Sequence, residues 1–234
     1  MTKKKLEATV KKITPVFKGF LTINKYEIEK DLHEGGKQDI TWMIMERGNA
    51  VGILAYDPKR DEVVLVNEMR PGILAAGDYP YTDTLPAGGI GKGETPVQAA
   101  VRETKEETGL ELKGARIIHD KSYVSAGGTS ESISTVFGFV DTTKAGGIHG
   151  LAEEMENIKT TVMSSAEFMD KIRSGEINDL KTMVAGYWLM ENKQKLQLEY
   201  AATLKDEFSK EAGRAAPEQL PPPKPPQAPR PPVM

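Results

Sequence analysis

Three glutamates, Glu103, Glu106 and Glu107, fall within five residues of one another, with Arg102 directly before them and a glycine-rich run, Gly88 to Gly93, upstream. Like charges one helical turn apart cost about 0.2–0.5 kcal/mol per pair in an isolated helix, so the cluster needs compensation. Arg102 can neutralise one neighbour and Lys105 points elsewhere, which leaves a hard divalent cation as the natural partner of these oxygens. The chain has no cysteine, so any metal must sit on oxygen or imidazole. His33 and His119 share no spacing with another ligand, and His149, in a glycine-rich loop, reads as structural. A cation held on carboxylates can neutralise an anionic substrate and lower the pKa of a bound water. The glycine run can bring backbone groups close to a phosphate. It is not a Walker A loop, because Gly91-Lys92 is followed by Gly93 and Pro86 stands where the first glycine belongs.

The elements that must position these side chains are legible around them. Thr95 as N-cap, Pro96 at the first helical position, Gln98 closing a capping box and Gly109 as terminator predict a helix over Pro96 to Thr108. Val97, Ala100, Val101, Thr104 and Thr108 recur at helical spacing and are expected to face inward, with Glu103 and Glu107 one turn apart on the edge of that stripe and Glu106 beside them. Strands are expected at Phe17 to Ile28, Ile40 to Glu46, Val51 to Tyr56 and Val63 to Asn67, with turns at Glu34-Gly35-Gly36 and Asp57 to Asp61. Further strands are expected at Ala115 to Val124, Ser132 to Val140 and Ile158 to Met163. A second helix follows Ser164, boxed by Glu167, and stops at Gly175; a third begins near Asp179, with Leu180, Met183, Val184, Tyr187 and Met190 as its expected core stripe.

Composition bounds the function. With 234 residues, 31 Lys+Arg against 34 Asp+Glu and a formal charge of -3, the chain lacks the basic field of a nucleic-acid binder. No apolar run is long enough for a signal peptide or a membrane span, so a cytoplasmic protein is expected, with Lys3, Lys4, Lys5, Lys11 and Lys12 forming a solvated end. Nine of the fifteen prolines lie in Pro217 to Met234, which reads as an extended tail without a core. The expected organisation is an N-terminal β-sheet and dimerisation region over 1–48, the main domain over 49–208 and the proline-rich tail over 215–234.

The run Gly88, Glu94, Arg102, Glu103, Thr104, Lys105, Glu106, Glu107, Thr108, Gly109, Leu110 resembles the Nudix box, with Thr104 where an apolar residue is usual. The resemblance implies a mixed-sheet α/β/α sandwich, preceded here by a small N-terminal antiparallel sheet, and hydrolysis of a nucleoside diphosphate linked to another group. It implies that Glu103 and Glu107 ligate Mg²⁺, with Mn²⁺ as the alternative ion, that Glu106 lies close by, and that the Ala87 carbonyl is a further ligand.

Two more segments, Ser125 to Glu131 and Gly146 to Ile158, are similar to loops of bacterial ADP-ribose pyrophosphatases, with consistent spacing from Phe17 to Trp188. By that resemblance Glu154 activates or orients the attacking water, Glu156 is an additional metal ligand, Arg70 contacts the diphosphate and Glu131 the terminal ribose. A homodimer is also implied, in which an N-terminal aromatic of the partner reaches the base; Phe20 and Trp42 are the candidates. The chain departs from the branch at Ala126, where Pro is typical, and at Trp42, where a phosphate-binding Arg is expected. ADP-ribose is therefore the leading substrate and GDP-mannose or another nucleotide sugar the alternative. From another class, a nucleotide-binding sensor without catalysis is the rival.

Overall fold

The computed structural model describes residues 5–214. Compact packing divides the chain into one unit ending at Lys193 and a second beginning at Gln194. The proline-rich tail lies outside the described residues. Within the described residues no helix is long and apolar enough to cross a membrane.

Three strands, β1 (Ala8–Lys18), β2 (Thr22–Asp31) and β3 (Lys37–Glu46), form an antiparallel sheet in sequence order. The strand expected over 17–28 is in fact interrupted, since the chain reverses at 19–21 between β1 and β2. Pro15 is tolerated because β1 is an edge strand with a register shift between Pro15 and Phe17. Lys11 is exposed, and it pairs across the sheet with Glu29 at 2.9 Å and Asp39 at 2.6 Å. Gly35 and Gly36, both at positive φ, make the β2–β3 turn as expected.

The second sheet contains β4 (Ala50–Asp57), β5 (Glu62–Met69), β6 (Tyr81–Thr84), β7 (Ala87–Gly89), β8 (Lys113–Tyr123), β9 (Ser132–Phe139), β10 (Ile148–His149) and β11 (Ile158–Ser164). Its order is β10-β11-β5-β4-β9-β8, with β6 on β5 and β7 on β4. The β4–β9 pair is parallel and the other pairs are antiparallel, which makes the sheet mixed. Among the described residues the α-helices are α1 (Pro71–Ala75), α2 (Pro96–Thr108), α3 (Ser165–Ser174) and α4 (Leu180–Arg214).

Strand alternation sorts the helices onto two faces. Val51, Ile53 and Ala55 of β4 pack with Val136, Ala99 and Ala100, which seats α2 on one face. Phe137, the neighbour of Val136, points the other way to meet Trp188 of α4, ring centroids 5.6 Å apart. Gly186 of α4 meets Phe168 and Ile172 of α3; a Cβ there would lie 2.4 Å from Ile172 Cδ1, so any larger residue would have to displace the Ile172 side chain. That contact corrects the expected core stripe of α4. Thr182, Ala185 and Leu189 are buried, whereas Leu180, Val184, Tyr187 and Met190 are exposed.

The β4–β5 turn is anchored by Asp57, which is buried and accepts hydrogen bonds from Lys59 N (2.9 Å), Thr142 N (3.0 Å) and Thr142 Oγ1 (2.9 Å), with Arg60 Nη1 at 3.1 Å. Burial alone would push its carboxyl up, but these donors outweigh it and hold it below the usual carboxylate range. Asp57→Ala is expected to destabilise the fold by about 2–3 kcal/mol in urea unfolding, because the backbone N–H groups of Lys59, Arg60 and Thr142 lose their acceptor. The Asp57 contribution is present at neutral pH and is lost on acidification through its depressed folded-state pKa. An unchanged unfolding midpoint would contradict this role.

Candidate active site

The box helix forms as its sequence dictates. Thr95 Oγ1 accepts from Gln98 N, the Gln98 side chain accepts from Thr95 N at 2.9 Å, and Gly109 ends the helix at φ 70°. Its inward face is rotated from the expected stripe: Val101 is exposed, while Ala99, Ala100, Glu103, Thr104, Glu107 and Thr108 are buried. Two of the three clustered glutamates are thus carried into the interior rather than left at its edge.

Gly88 makes room for the first of them. A Cβ on Gly88 would lie 1.9 Å from Glu103 Oε1, so the carboxylate occupies the space a side chain would fill. Glu107 accepts a hydrogen bond from Ala87 N at 2.9 Å. Burial pushes the Glu107 carboxyl up to about 8, with Glu103 and Glu156 adding repulsion against the Ala87 N–H and Arg70. Glu103 is raised in the same direction by burial, with Glu106 and Glu156 adding to it against Arg102.

Arg102 does more than neutralise one neighbour. Its guanidinium bonds Glu94 Oε1 (3.0 Å), Glu103 Oε1 (2.7 Å), Glu106 Oε2 (2.9 Å) and the Gly89 carbonyl (3.0 Å). A planar five-donor fork can bridge several carboxylates in this way, which a point-charge lysine cannot do. Glu94 also accepts from Gly91 N at 2.8 Å, closing the glycine run into the helix.

The Gly146–Ile158 loop is moored to the last turn of α2. Gly150 N donates to the Glu106 carbonyl at 3.2 Å and Thr160 Oγ1 to the Glu107 carbonyl at 3.1 Å. His149 contacts the Gly146 carbonyl at 2.8 Å through Nε2 and packs against Gly109, a structural position as expected. Glu156 Oε2 accepts from Leu151 N at 3.0 Å, and its charge acts on both Glu103 and Glu107. Glu154 ends an exposed 3₁₀ turn, Ala152–Glu154, on the same loop.

Among the described residues no group of three or more Asp, Glu or His side chains stands in ligating geometry. Arg102 and backbone N–H groups engage Glu103, Glu106, Glu107 and Glu156 instead. The donor set is all oxygen, and Glu107 is buried without an ion pair within 4 Å; both features suit a hard divalent cation.

Beside the box lies a cleft of about 260 Å³ lined by Arg47, Arg70, Ala87, Gly88, Glu131 and Lys181, among others. Of the residues expected from sequence it brings together Arg70, Ala87 and Glu131. Arg70 Nη1 pairs with Glu68 at 2.8 Å and Nη2 donates to Thr84 Oγ1 at 2.8 Å, while its buried Nε has no partner. Glu131 sits 3.9 Å from Arg47.

Neither expected aromatic lines the cleft of its own chain. Trp42 Nε1 donates to the Gly127 carbonyl, and Phe20 is 97% exposed at the β1–β2 reversal. The Ser125–Glu131 loop is stitched to β3 by Met45 N to the Gly128 carbonyl (2.9 Å) and Ser130 N to the Met45 carbonyl (3.1 Å). Arg47 and Lys181 are not expected from the sequence. Lys181 did carry a signal, since a cation in the first turn of a helix opposes the macrodipole.

Comparison with known proteins agrees with this arrangement. The NUDIX domain family matches residues 46–181. The ADP-ribose pyrophosphatase of Escherichia coli K12 is 35% identical over 187 residues, covering 80% of this chain and 89% of that protein. The ADP-ribose pyrophosphatase of Haemophilus influenzae is also 35% identical, over 78% of this chain and 85% of its own. A GDP-mannose pyrophosphatase of Cronobacter sakazakii is 27% identical over 60% of this chain and 73% of its own. A crystal structure of an ADP compounds hydrolase superposes with a TM-score of 0.60 at 20% identity, covering 80% of this chain and 96% of that one, which bears on the fold. The chain belongs to the Nudix family and is a pyrophosphate hydrolase.

Proposed function

We propose that this protein hydrolyses the diphosphate of ADP-ribose to AMP and ribose 5-phosphate with the help of Mg²⁺, or Mn²⁺ in its place. The observation that carries the reading is the cleft that sets Arg70 and Glu131 against Ala87 and Gly88, the backbone directly bonded to or packed on Glu107 and Glu103. Similarity to ADP-ribose pyrophosphatases over most of the chain supports the substrate.

Glu103, Glu107, Glu156 and the Ala87 carbonyl would hold the cation, which when bound would neutralise the diphosphate and activate water. Arg70 binds diphosphate oxygens through a guanidinium whose Nε has no protein partner. Glu131 accepts from the terminal ribose hydroxyls. Glu154 takes the proton of the attacking water, and Glu106, bonded by Arg102 at 2.9 Å, is the second catalytic carboxylate. Glu154→Gln is expected to lower kcat by about 10²-fold or more while leaving KM for the cation unchanged; an unaltered kcat would remove Glu154 as the base.

The active form is a homodimer in which the partner's Phe20 or Trp42 stacks on the base. In support, the N-terminal sheet leaves Val10, Ile13, Val16, Phe17 and Met43 exposed, an apolar surface suited to a second copy. The protein is cytoplasmic, and nucleic acid is not among its partners.

Trp42 favours one alternative. It stands where the ADP-ribose branch is expected to have a phosphate-binding Arg, and a GDP-mannose pyrophosphatase is among the relatives. Comparing kcat/KM for ADP-ribose and GDP-mannose decides the matter: a ratio above about ten supports ADP-ribose, and the inverse assigns the cleft to GDP-mannose.

A further inference from the structure

Lys181 breaks a local rule, and the structure shows what keeps it in place. The first turn of α4 would favour an acidic residue, yet Lys181 sits there with its side chain only 15% exposed. Its stem crosses β4 at Gly52, with Cδ 3.5 Å from where a Gly52 Cβ would lie. Its ammonium bonds Asp179 Oδ1 at 2.9 Å. The other oxygen of Asp179 caps the helix through Thr182 N (3.0 Å) and Thr182 Oγ1 (2.6 Å). Thr182 Oγ1 in turn accepts from Leu85 N at 3.0 Å, fixing the start of α4 to the segment that leads into the box. An ammonium has three donors, and Asp179 takes one of them.

The wall on which Lys181 is fixed belongs to the cleft of Arg47 and Arg70. Three cations from three separate elements, the end of β3, the end of β5 and the start of α4, therefore line one small polar cavity. Trp42 supplies no charge to it. We propose that Lys181 is a substrate-binding residue of this enzyme, contacting phosphoryl oxygens of the nucleoside diphosphate sugar from the α4 side of the cleft. This rests on the hydrolase reading above.

The test compares the parent, Lys181→Met, which keeps the stem over Gly52, and Lys181→Arg. Steady-state kinetics with ADP-ribose are expected to give a KM at least about tenfold higher for Lys181→Met with kcat changed by less than about twofold, and most of the loss recovered in Lys181→Arg. An unchanged KM in Lys181→Met, or an Arg variant no better than the Met variant, would overturn the assignment. Asp179 loses its counter-charge in Lys181→Met; if that variant melts early, the Asp179→Asn/Lys181→Met pair carries the same comparison against Asp179→Asn. Calorimetric binding of ADP-ribose separates the two claims. Weaker binding by Lys181→Met supports the contact even where the parent fails to turn ADP-ribose over, and equal binding by both proteins removes it while leaving hydrolysis intact.

Discussion

Glu107→Gln abolishes turnover by about 10³-fold or more while leaving the protein folded and, at pH 8 with a chelator present, more stable than the parent. The activity loss follows from removing one of the carboxylates proposed to hold the cation, a contribution of several kcal/mol at 1.36 kcal/mol per tenfold in rate. The stability gain follows from burial. Glu107 is buried and, among the described residues, accepts only the Ala87 N–H, so its carboxyl is pushed up to about 8 from an ordinary 4.5. A carboxyl raised on folding contributes its full stability below pH 4.5 and loses it as pH climbs toward 8. Glutamine stays neutral across that window, so the variant's melting temperature declines less between pH 5 and pH 8, by roughly 2–4 °C for each kcal/mol relieved. Thermal melts of both proteins in EDTA at the two pH values check the sign. A variant that declines as steeply as the parent would contradict the burial of this charge, and full activity would remove Glu107 from the cation site.

Gly88→Ala is expected to separate activity from stability. The added Cβ would fall 1.9 Å from Glu103 Oε1 and 2.0 Å from Cδ. Those atoms are the end of a flexible side chain, so the carboxylate can swing away without unfolding the backbone. Once displaced, it leaves both the Arg102 bond at 2.7 Å and the place where it would hold a cation. A misplacement of about 1 Å in a reacting constellation costs on the order of 10²-fold in rate, and kcat should fall by that much with a melting temperature within a few degrees of the parent. Parental kcat in Gly88→Ala would mean that the position of Glu103 under the glycine loop is irrelevant to the reaction.

What the sequence disclosed, and what it withheld, follows from the range of the interactions. The ends of α2 and α3 were readable because Thr95, Gln98, Gly109, Ser164 and Gly175 act within a few residues of themselves. The Nudix resemblance was equally local, and the family match bears it out. The buried face of α4 differs from its apolar stripe because hydrophobicity is the wrong guide there. Helix α3 packs on Gly186, next to the buried Ala185, and the apolar periodicity of Leu180, Val184 and Tyr187 outweighs these small residues. Strand β1 was hidden because it is exposed along most of its length, so lysines and threonines alternate with its apolar residues without marking a buried face. Strands β6 and β7 and helix α1, at three to five residues, are too short to show a period.

At the site, the acidic ligands were visible as a cluster but their surroundings were not. That Arg102 binds Glu94, Glu103 and Glu106 together depends on the loop folding back over the helix. Arg47 and Lys181 lie far apart in sequence and meet only through the sheet and the start of α4.

The central claim is that this cleft and its carboxylates cleave a nucleotide sugar at the diphosphate with a divalent cation. Release of AMP from ADP-ribose by the parent protein, followed with Mg²⁺ and then with excess EDTA, tests it most directly. Rapid AMP and ribose 5-phosphate formation with Mg²⁺, collapsing on chelation, is the expected result. Absence of AMP under both conditions, with GDP-mannose equally untouched, would contradict it and leave a nucleotide-binding protein without catalysis.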